Sequence, residues 1–289
     1  MAADPLRGLV ARALRTEVLE LASEHVDTSP LVEIDRIRWR GPQGEGRLLF
    51  SRFHEAATVE VQLLPFLSRK GLPVPRVVAR GVPPSRAPER RTWLLTEEPD
   101  GVVLSRRPDG DAARRAATVL REIQTATAND EPALTALGVP ALPASRIRDE
   151  ALAAVDLLDR HDAARLRERA YALDAVGLEA LGVALVHGDY GLRRVRALAG
   201  ANVVTDWLRA HLGCPLQDLA RLCLDLRDRA IEDEALRAFG RGADLLDQAA
   251  ALQRLFQIRW YAWHAQLAIR SKEDCGQRVR ALLDAPSAN

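Results

Sequence analysis

The chain has 289 residues, 47% of them apolar, which supplies a core for one large domain or two lobes and excludes wholesale disorder. Its formal net charge of +1 excludes a general pull toward nucleic acid or anionic membrane, and arginine-rich runs such as RRPDGDAARRAA (106–117) read as solvated helix faces. Three cysteines, Cys214, Cys223 and Cys275, show no metal-ligand spacing and read as small buried thiols in a reducing cytoplasm.

In chain order, apolar residues from Leu6 to Ala22 recur at helical spacing and predict a helix over 5–25, broken by DTSP (27–30). VEIDRIRWR (32–40) and RLLFSRF (47–53) predict a hairpin joined by the turn GPQGEG (41–46). A helix is expected over 55–70, then an extended segment at 71–81, a Pro-rich loop at 82–91 and a strand at 92–98. After PDG (99–101) the pattern turns helical, over roughly 111–128, 145–180, 215–229, 232–249 and 251–270. No segment has the length and polarity of a membrane span, and the N-terminus lacks the apolar core of a signal peptide, so a cytoplasmic protein is expected.

Two short apolar runs inside the helical half each end in a carboxylate: LVHGD at Asp189 and VVTD at Asp206. A carboxylate on the turn after a strand can take a proton from a hydroxyl attacking phosphorus. A second, on a neighbouring strand, can hold Mg²⁺ against nucleotide phosphates; phosphoryl transfer needs chiefly such positioning and charge neutralisation.

HGD (187–189), VVTDW (203–207) and GCPLQDLA (213–220) together resemble the protein-kinase-like small-molecule kinases, the aminoglycoside phosphotransferase, choline kinase and lipopolysaccharide core kinase branches. The resemblance implies an α+β, bilobal protein-kinase-like fold, with a small N-terminal sheet lobe (1–97) and a larger helical C-terminal lobe (98–289). It implies ATP and Mg²⁺ as cofactors and a small-molecule acceptor, a sugar or aminosugar, with no nucleic-acid partner. It places Asp189 in the catalytic-base slot beside His187, and Asp206 in the metal slot. Asp218 braces the loop by hydrogen bonding. Glu60 takes the slot that pairs with the ATP-anchoring residue, and the backbone near Leu95, Thr96 and Glu97 meets adenine.

Three positions depart from the family pattern. The residue five after Asp189 is Arg194, where the family has a metal-binding asparagine; guanidinium has no acceptor. Lysine occurs only at Lys70 and Lys272, so the anchoring slot falls to Ser51 or Arg52, of which Arg52 could still pair with Glu60 and hold phosphate. No glycine-rich phosphate loop is found near the N-terminus. Two readings stay open: an active kinase in which Arg52 and Arg194 bind phosphates, and a degraded kinase that binds a nucleotide or metabolite or serves as a scaffold. His187 reads as a support of the loop as well as a candidate base. The cluster RWYAWHAQ (259–266) reads as packing or as a stacking wall for a sugar ring.

Overall fold

A computed structural model describes residues 5–81, 91–106, 108–226, 228–240 and 245–285. The chain divides into two units: Met1–Gly101 with Val203–Leu208, and Val102–Asn202 with Arg209–Asn289. The segment 203–208, expected within the helical half, thus belongs to the first unit.

The first unit opens with α1 (Pro5–Leu14), followed by strands β1 (Glu20–Thr28), β2 (Val32–Gly41) and β3 (Gly44–Phe53). Helix α2 (Val59–Arg69) and strands β4 (Val77–Gly81) and β5 (Thr92–Glu97) complete it. The strands form one antiparallel sheet in the order β1-β2-β3-β5-β4. The β2–β3 hairpin is present, but its strands run on until Gly41 pairs with Gly44, so the turn is shorter than the expected 41–46.

The single helix expected over 5–25 is a correction. Arg15 takes a left-handed φ of 54° just past α1, and residues 20–28 pair with β2 as a strand. Val18 and Leu21 suit either periodicity, because both pack into the cluster under α1 with Ile37, Leu48, Phe50 and Leu95. Most of the expected Pro-rich loop lies outside the described residues.

The second unit is helical. Strand β6 (Val102–Val103) leads to α3 (Gly110–Thr127), capped where the Asp109 side chain accepts from Ala112 N–H at 2.8 Å. The expected helical stretch 145–180 is broken into pieces. It follows α4 (Glu131–Ala136) and contains α5 (Ala144–Ala151), a 3₁₀ turn, α6 (Arg160–Tyr171) and α7 (Ala175–Glu179). Asp159 and Asp174 cap α6 and α7, which explains where the breaks fall.

Strands β7 (Ala184–Val186), β8 (Val195–Leu198), β9 (Ala201–Val204) and β10 (His211–Gly213) come next, and β9 carries the chain into the first unit. Helices α8 (Gln217–Asp225), α9 (Arg229–Phe239), α10 (Leu246–Gln266) and α11 (Lys272–Asp284) follow. The last of these was not read from the sequence. All three cysteines are buried and free. Among the described residues no helix is long and apolar enough to cross a membrane.

Candidate active site

Val186, the last residue of β7, pairs with His211 of β10, and the chain then turns through His187, Gly188, Asp189 and Tyr190. Asp218, fully buried in the first turn of α8, holds this turn as expected: its carboxylate accepts from His187 N–H at 2.5 Å and Gly188 N–H at 2.9 Å. Burial pushes the Asp218 carboxyl up to about 7, against the pull of those two donors.

Gly188 carries a φ of 83°, and a Cβ there would meet the Arg209 carbonyl oxygen at 2.6 Å, so only glycine fits. Tyr190, with no solvent exposure, ties the turn to α3 by donating to the Ala116 carbonyl at 2.8 Å. Gln253 of α10 donates to the Gly188 carbonyl at 3.0 Å and accepts from Gln217 at 2.8 Å. The loop is therefore braced from three helices.

His187 is 1% exposed. Its Nδ1 accepts from Asp189 N–H at 3.3 Å and its ring meets Tyr190 edge-on. These contacts tie the ring to the loop.

Asp189 is 3% exposed, and guanidinium groups surround its carboxylate. Arg193 donates to both oxygens at 2.7 and 2.8 Å, and Arg194 donates to Oδ2 at 2.6 Å. The Arg221 Nε lies 3.5 Å from Oδ1. Burial disfavours the charge, but Arg209, Arg194 and Arg193 outweigh it and hold the carboxyl well below the usual range. Arg194 thus turns toward the loop aspartate and presents no oxygen to a metal ion.

In the first unit, strand alternation separates the two candidates for the anchoring slot. Arg52 shares its sheet face with Leu48 and Phe50, the face packed under α1, whereas Ser51 lies on the opposite face. Arg52 is paired with Glu33 at 3.2 Å and Asp35 at 3.0 Å, both on β2. The expected Arg52–Glu60 pair is therefore replaced: two carboxylates of the adjacent strand lie on the same face as Arg52 and take its charge first. Glu60 stands in the first turn of α2.

Leu95, Thr96 and Glu97 close strand β5. Strand β5 lies between β3 and β4, with Leu95 opposite Phe50 and Ala79, and Thr96 opposite Leu49 and Val77. Their backbone groups belong to these ladders, and Glu97 N–H donates to the Arg76 carbonyl at 2.9 Å. Glu98, the residue after the strand, likewise donates its N–H to the Arg47 carbonyl at 3.1 Å.

The sheet face opposite α1 carries Arg36, Arg38, Arg40 and Arg47 in ion pairs with Glu20, Glu24, Glu45, Glu98 and Asp100. Sequence reasoning missed this lattice, although the alternation R-I-R-W-R in β2 announces it.

Asp206 follows β9, which is anchored where Val204 N–H donates to the Pro73 carbonyl at 2.8 Å. Its φ of 69° is left-handed, a conformation aspartate tolerates better than most residues. Trp207, 1% exposed, donates from Nε1 to the Val204 carbonyl at 3.1 Å and fixes the turn. Among the described residues no three histidine, cysteine or carboxylate side chains cluster as metal ligands. Arg194 occupies the slot of the family's metal-binding asparagine and offers no oxygen, so of the two expected ligand positions only Asp206 carries an acceptor, a residue set that does not fit the two-ligand Mg²⁺ pattern.

Residues absent from the sequence reading complete the picture. Arg221 lies one turn past Asp218 on α8, and its i,i+4 partner Asp225 accepts from it at 2.5 Å. The Arg209 guanidinium stacks over Trp260 at 4.7 Å. Nothing in the local sequence joins these positions to Asp189; the β10 turn and α8 bring them there. The aromatic cluster of α10 is real, with Trp260 and Trp263 5.1 Å apart and His264 packed against both.

The model of the phosphotransferase enzyme family matches residues 36–266. Among solved structures the chain is similar to the macrolide 2'-phosphotransferase MphH of Brachybacterium faecium, with 19% identity over 98% of each chain and a TM-score of 0.69. It is similar to a choline/ethanolamine kinase family protein of Mesorhizobium loti, with 18% identity over 99% of this chain and 96% of that one, and a TM-score of 0.64. A putative aminoglycoside phosphotransferase of Ralstonia eutropha matches with 15% identity over 96% and 95% of the two chains and a TM-score of 0.64. At such identities the likeness is one of fold: α+β and protein-kinase-like, with an N-terminal sheet and a helical C-terminal part. No curated protein matches the chain at a significant level.

Proposed function

Since the chain belongs to the phosphotransferase enzyme family, we propose that it transfers a phosphoryl group to a hydroxyl of a small molecule, with Asp189 as proton acceptor. The observation that supports this most is the bracing of the loop. A fully buried carboxylate, Asp218, is committed to two backbone donors of the turn that delivers Asp189, at a considerable desolvation cost.

The reaction needs an acceptor oxygen in line with the donor phosphorus. As the new O–P bond forms, the bond to the donor's bridging oxygen breaks and a diphosphate leaves. The hydroxyl proton passes to Asp189. With ATP as donor, the leaving group is ADP.

Charge developing on the phosphoryl oxygens is met here by guanidinium groups. Arg193 and Arg194 hold positions from which arginine can bind phosphate bidentately. No step is routed through Mg²⁺, for which Asp206 offers the one protein ligand identified. The acceptor class extends to this chain by family likeness: a small molecule with a sugar hydroxyl, such as the macrolide named for the similar Brachybacterium enzyme.

A second reading, a degraded member that binds without transfer, is favoured by a specific observation. Asp189 is sealed by three guanidinium partners, while Ser51, the anchoring-slot candidate on the face opposite α1, carries no charge. One experiment separates the two: ADP release from ATP over a panel of hydroxyl acceptors, for the natural chain and for Asp189→Asn. Turnover lost in Asp189→Asn supports transfer. Nucleotide binding without turnover in the natural chain establishes the degraded reading, and equal turnover in both chains removes Asp189 from the chemistry.

A further inference from the structure

The Gly188 carbonyl held by Gln253 is one end of a longer relay. Gln253 accepts from Gln217, whose Oε1 lies 3.2 Å from Nε2 of His211. The other ring nitrogen of His211, Nδ1, lies 3.0 Å from the Arg209 carbonyl oxygen. His211, Gln217 and Gln253 have no solvent exposure. The imidazole stacks on Phe256 at 4.6 Å, and a Cβ at Gly213 would sit 3.0 Å from its Cδ2, so the ring is walled in.

Hydrogens are scarce along this relay, which runs from one carbonyl oxygen to another. Four contacts need one each: Arg209 to His211, His211 to Gln217, Gln217 to Gln253, and Gln253 to Gly188. A neutral imidazole has a hydrogen on one ring nitrogen only, and a carboxamide offers N–H on one side and oxygen on the other. The side chains of His211, Gln217 and Gln253 therefore fill one contact each, whichever way the amides are turned, and one contact is left over. An imidazolium would supply the missing hydrogen, but burial pushes the His211 ring down to about 4. Among the ionisable groups packed around it, Arg259 of α10 and His187 of the turn oppose the charge. Arg259 is itself paired with Glu150 of α5, and Asp218 of α8 is committed to the backbone of the turn.

Which contact goes without a hydrogen decides what the relay does. Gly188 is buried, whereas Arg209 is half-buried. The Gly188 carbonyl shares a peptide plane with the Asp189 N–H, which donates to His187 Nδ1. Turning the amides to serve Arg209 would set the Gln253 oxygen against the Gly188 oxygen and push on the plane that aims Asp189. We infer that His211 is a positioning residue of the Asp189 turn: held as the neutral Nε2–H tautomer, it donates to Gln217 and so orients the Gln217 and Gln253 amides to give a hydrogen to the Gly188 carbonyl. The deficit then falls between His211 Nδ1 and the Arg209 carbonyl. The bearing of this relay on catalysis rests on the reading of Asp189 as proton acceptor.

Nitrogen-15 spectra of the histidine-labelled full chain, with His211→Gln for assignment, read the tautomer directly. The Nε2–H form is expected between about pH 6 and 8; the Nδ1–H form or an imidazolium overturns the inference. Side-chain length supplies a second measurement, since the Gln nitrogen falls where imidazole has Nε2 and the Asn nitrogen where it has Nδ1. Amide exchange of the turn 186–190 should stay within about threefold in His211→Gln and rise about tenfold or more in His211→Asn. Equal exchange in the two variants, or faster exchange in His211→Gln, sinks the inference. In turnover, kcat should fall further in His211→Asn than in His211→Gln, while KM for ATP stays within about twofold. The Nε2–H tautomer and the exchange difference in a chain without turnover keep the relay and remove the transferase reading. Turnover in a chain with the Nδ1–H form does the reverse.

Discussion

Arg194 donates from Nη2 to Oδ2 of Asp189 at 2.6 Å, so the fifth residue after the loop aspartate turns back on it. An asparagine at this position would present an oxygen acceptor; the guanidinium presents donors only and carries a fixed charge. Arg194→Asn should therefore release part of the clamp and restore an oxygen-bearing side chain at the family's second metal-ligand position. The expected outcome is a Mg²⁺-dependent gain of roughly 2 °C or more in the thermal shift produced by ATP. A shift indifferent to Mg²⁺ in both chains would remove Asp206 from the metal slot.

Arg52 makes the opposite case. Its charge is taken by Glu33 and Asp35 on the face under α1. Arg52→Ala should leave nucleotide affinity within about twofold and cost about 1 kcal/mol or less of stability, since the pairs are partly exposed. A large loss of nucleotide binding, read by calorimetry, would return Arg52 to the phosphate-anchoring role expected from the sequence.

Gly188→Ala should be severe. The left-handed φ and the Arg209 carbonyl 2.6 Å from the added Cβ leave it no relaxed position. A loss of about 2–4 kcal/mol in urea unfolding is expected. A loss below about 1 kcal/mol would show that the loop yields, contrary to its triple bracing.

Stability should vary with pH through two carboxylates of opposite sign. The Asp218 pKa rises on folding to about 7, so the folded chain keeps a proton that the unfolded chain has lost. Stability therefore falls as pH climbs from the ordinary carboxylate range toward 7. The Asp189 pKa is depressed, so its contribution is present above the ordinary carboxylate range and is lost as pH falls below it. Denaturant midpoints from pH 3 to 8 should peak near the ordinary carboxylate range, and Asp218→Asn should flatten the alkaline slope. An unchanged slope in that variant would place the ionisation elsewhere.

Much of the fold was legible because its signals are local. The β2–β3 hairpin follows from two apolar-polar alternations around a glycine turn, and α2 and α3 follow from their apolar stripes. The β1 strand was not legible: Val18 and Leu21 satisfy a helix as well as a strand, and pairing with β2 decides. The site divides in the same way. Asp189, Asp206 and Asp218 were singled out as candidates from short motifs, and the bracing by Asp218 followed from its motif. Arg209 and Arg221 reach Asp189 through tertiary folding, and the partners of Arg52 depend on cross-strand register. Neither is written in residue spacing.

The return of residues 203–208 to the first unit has a consequence for synthesis. Val204 gives the Pro73 carbonyl its donor, and Trp207 closes the turn that carries Asp206. A ribosome that has released only the first hundred residues has not yet supplied these groups. The first unit must wait for most of the chain to emerge before it is complete, and a fragment ending at Gly101 would lack a piece of it although it holds every strand of the sheet.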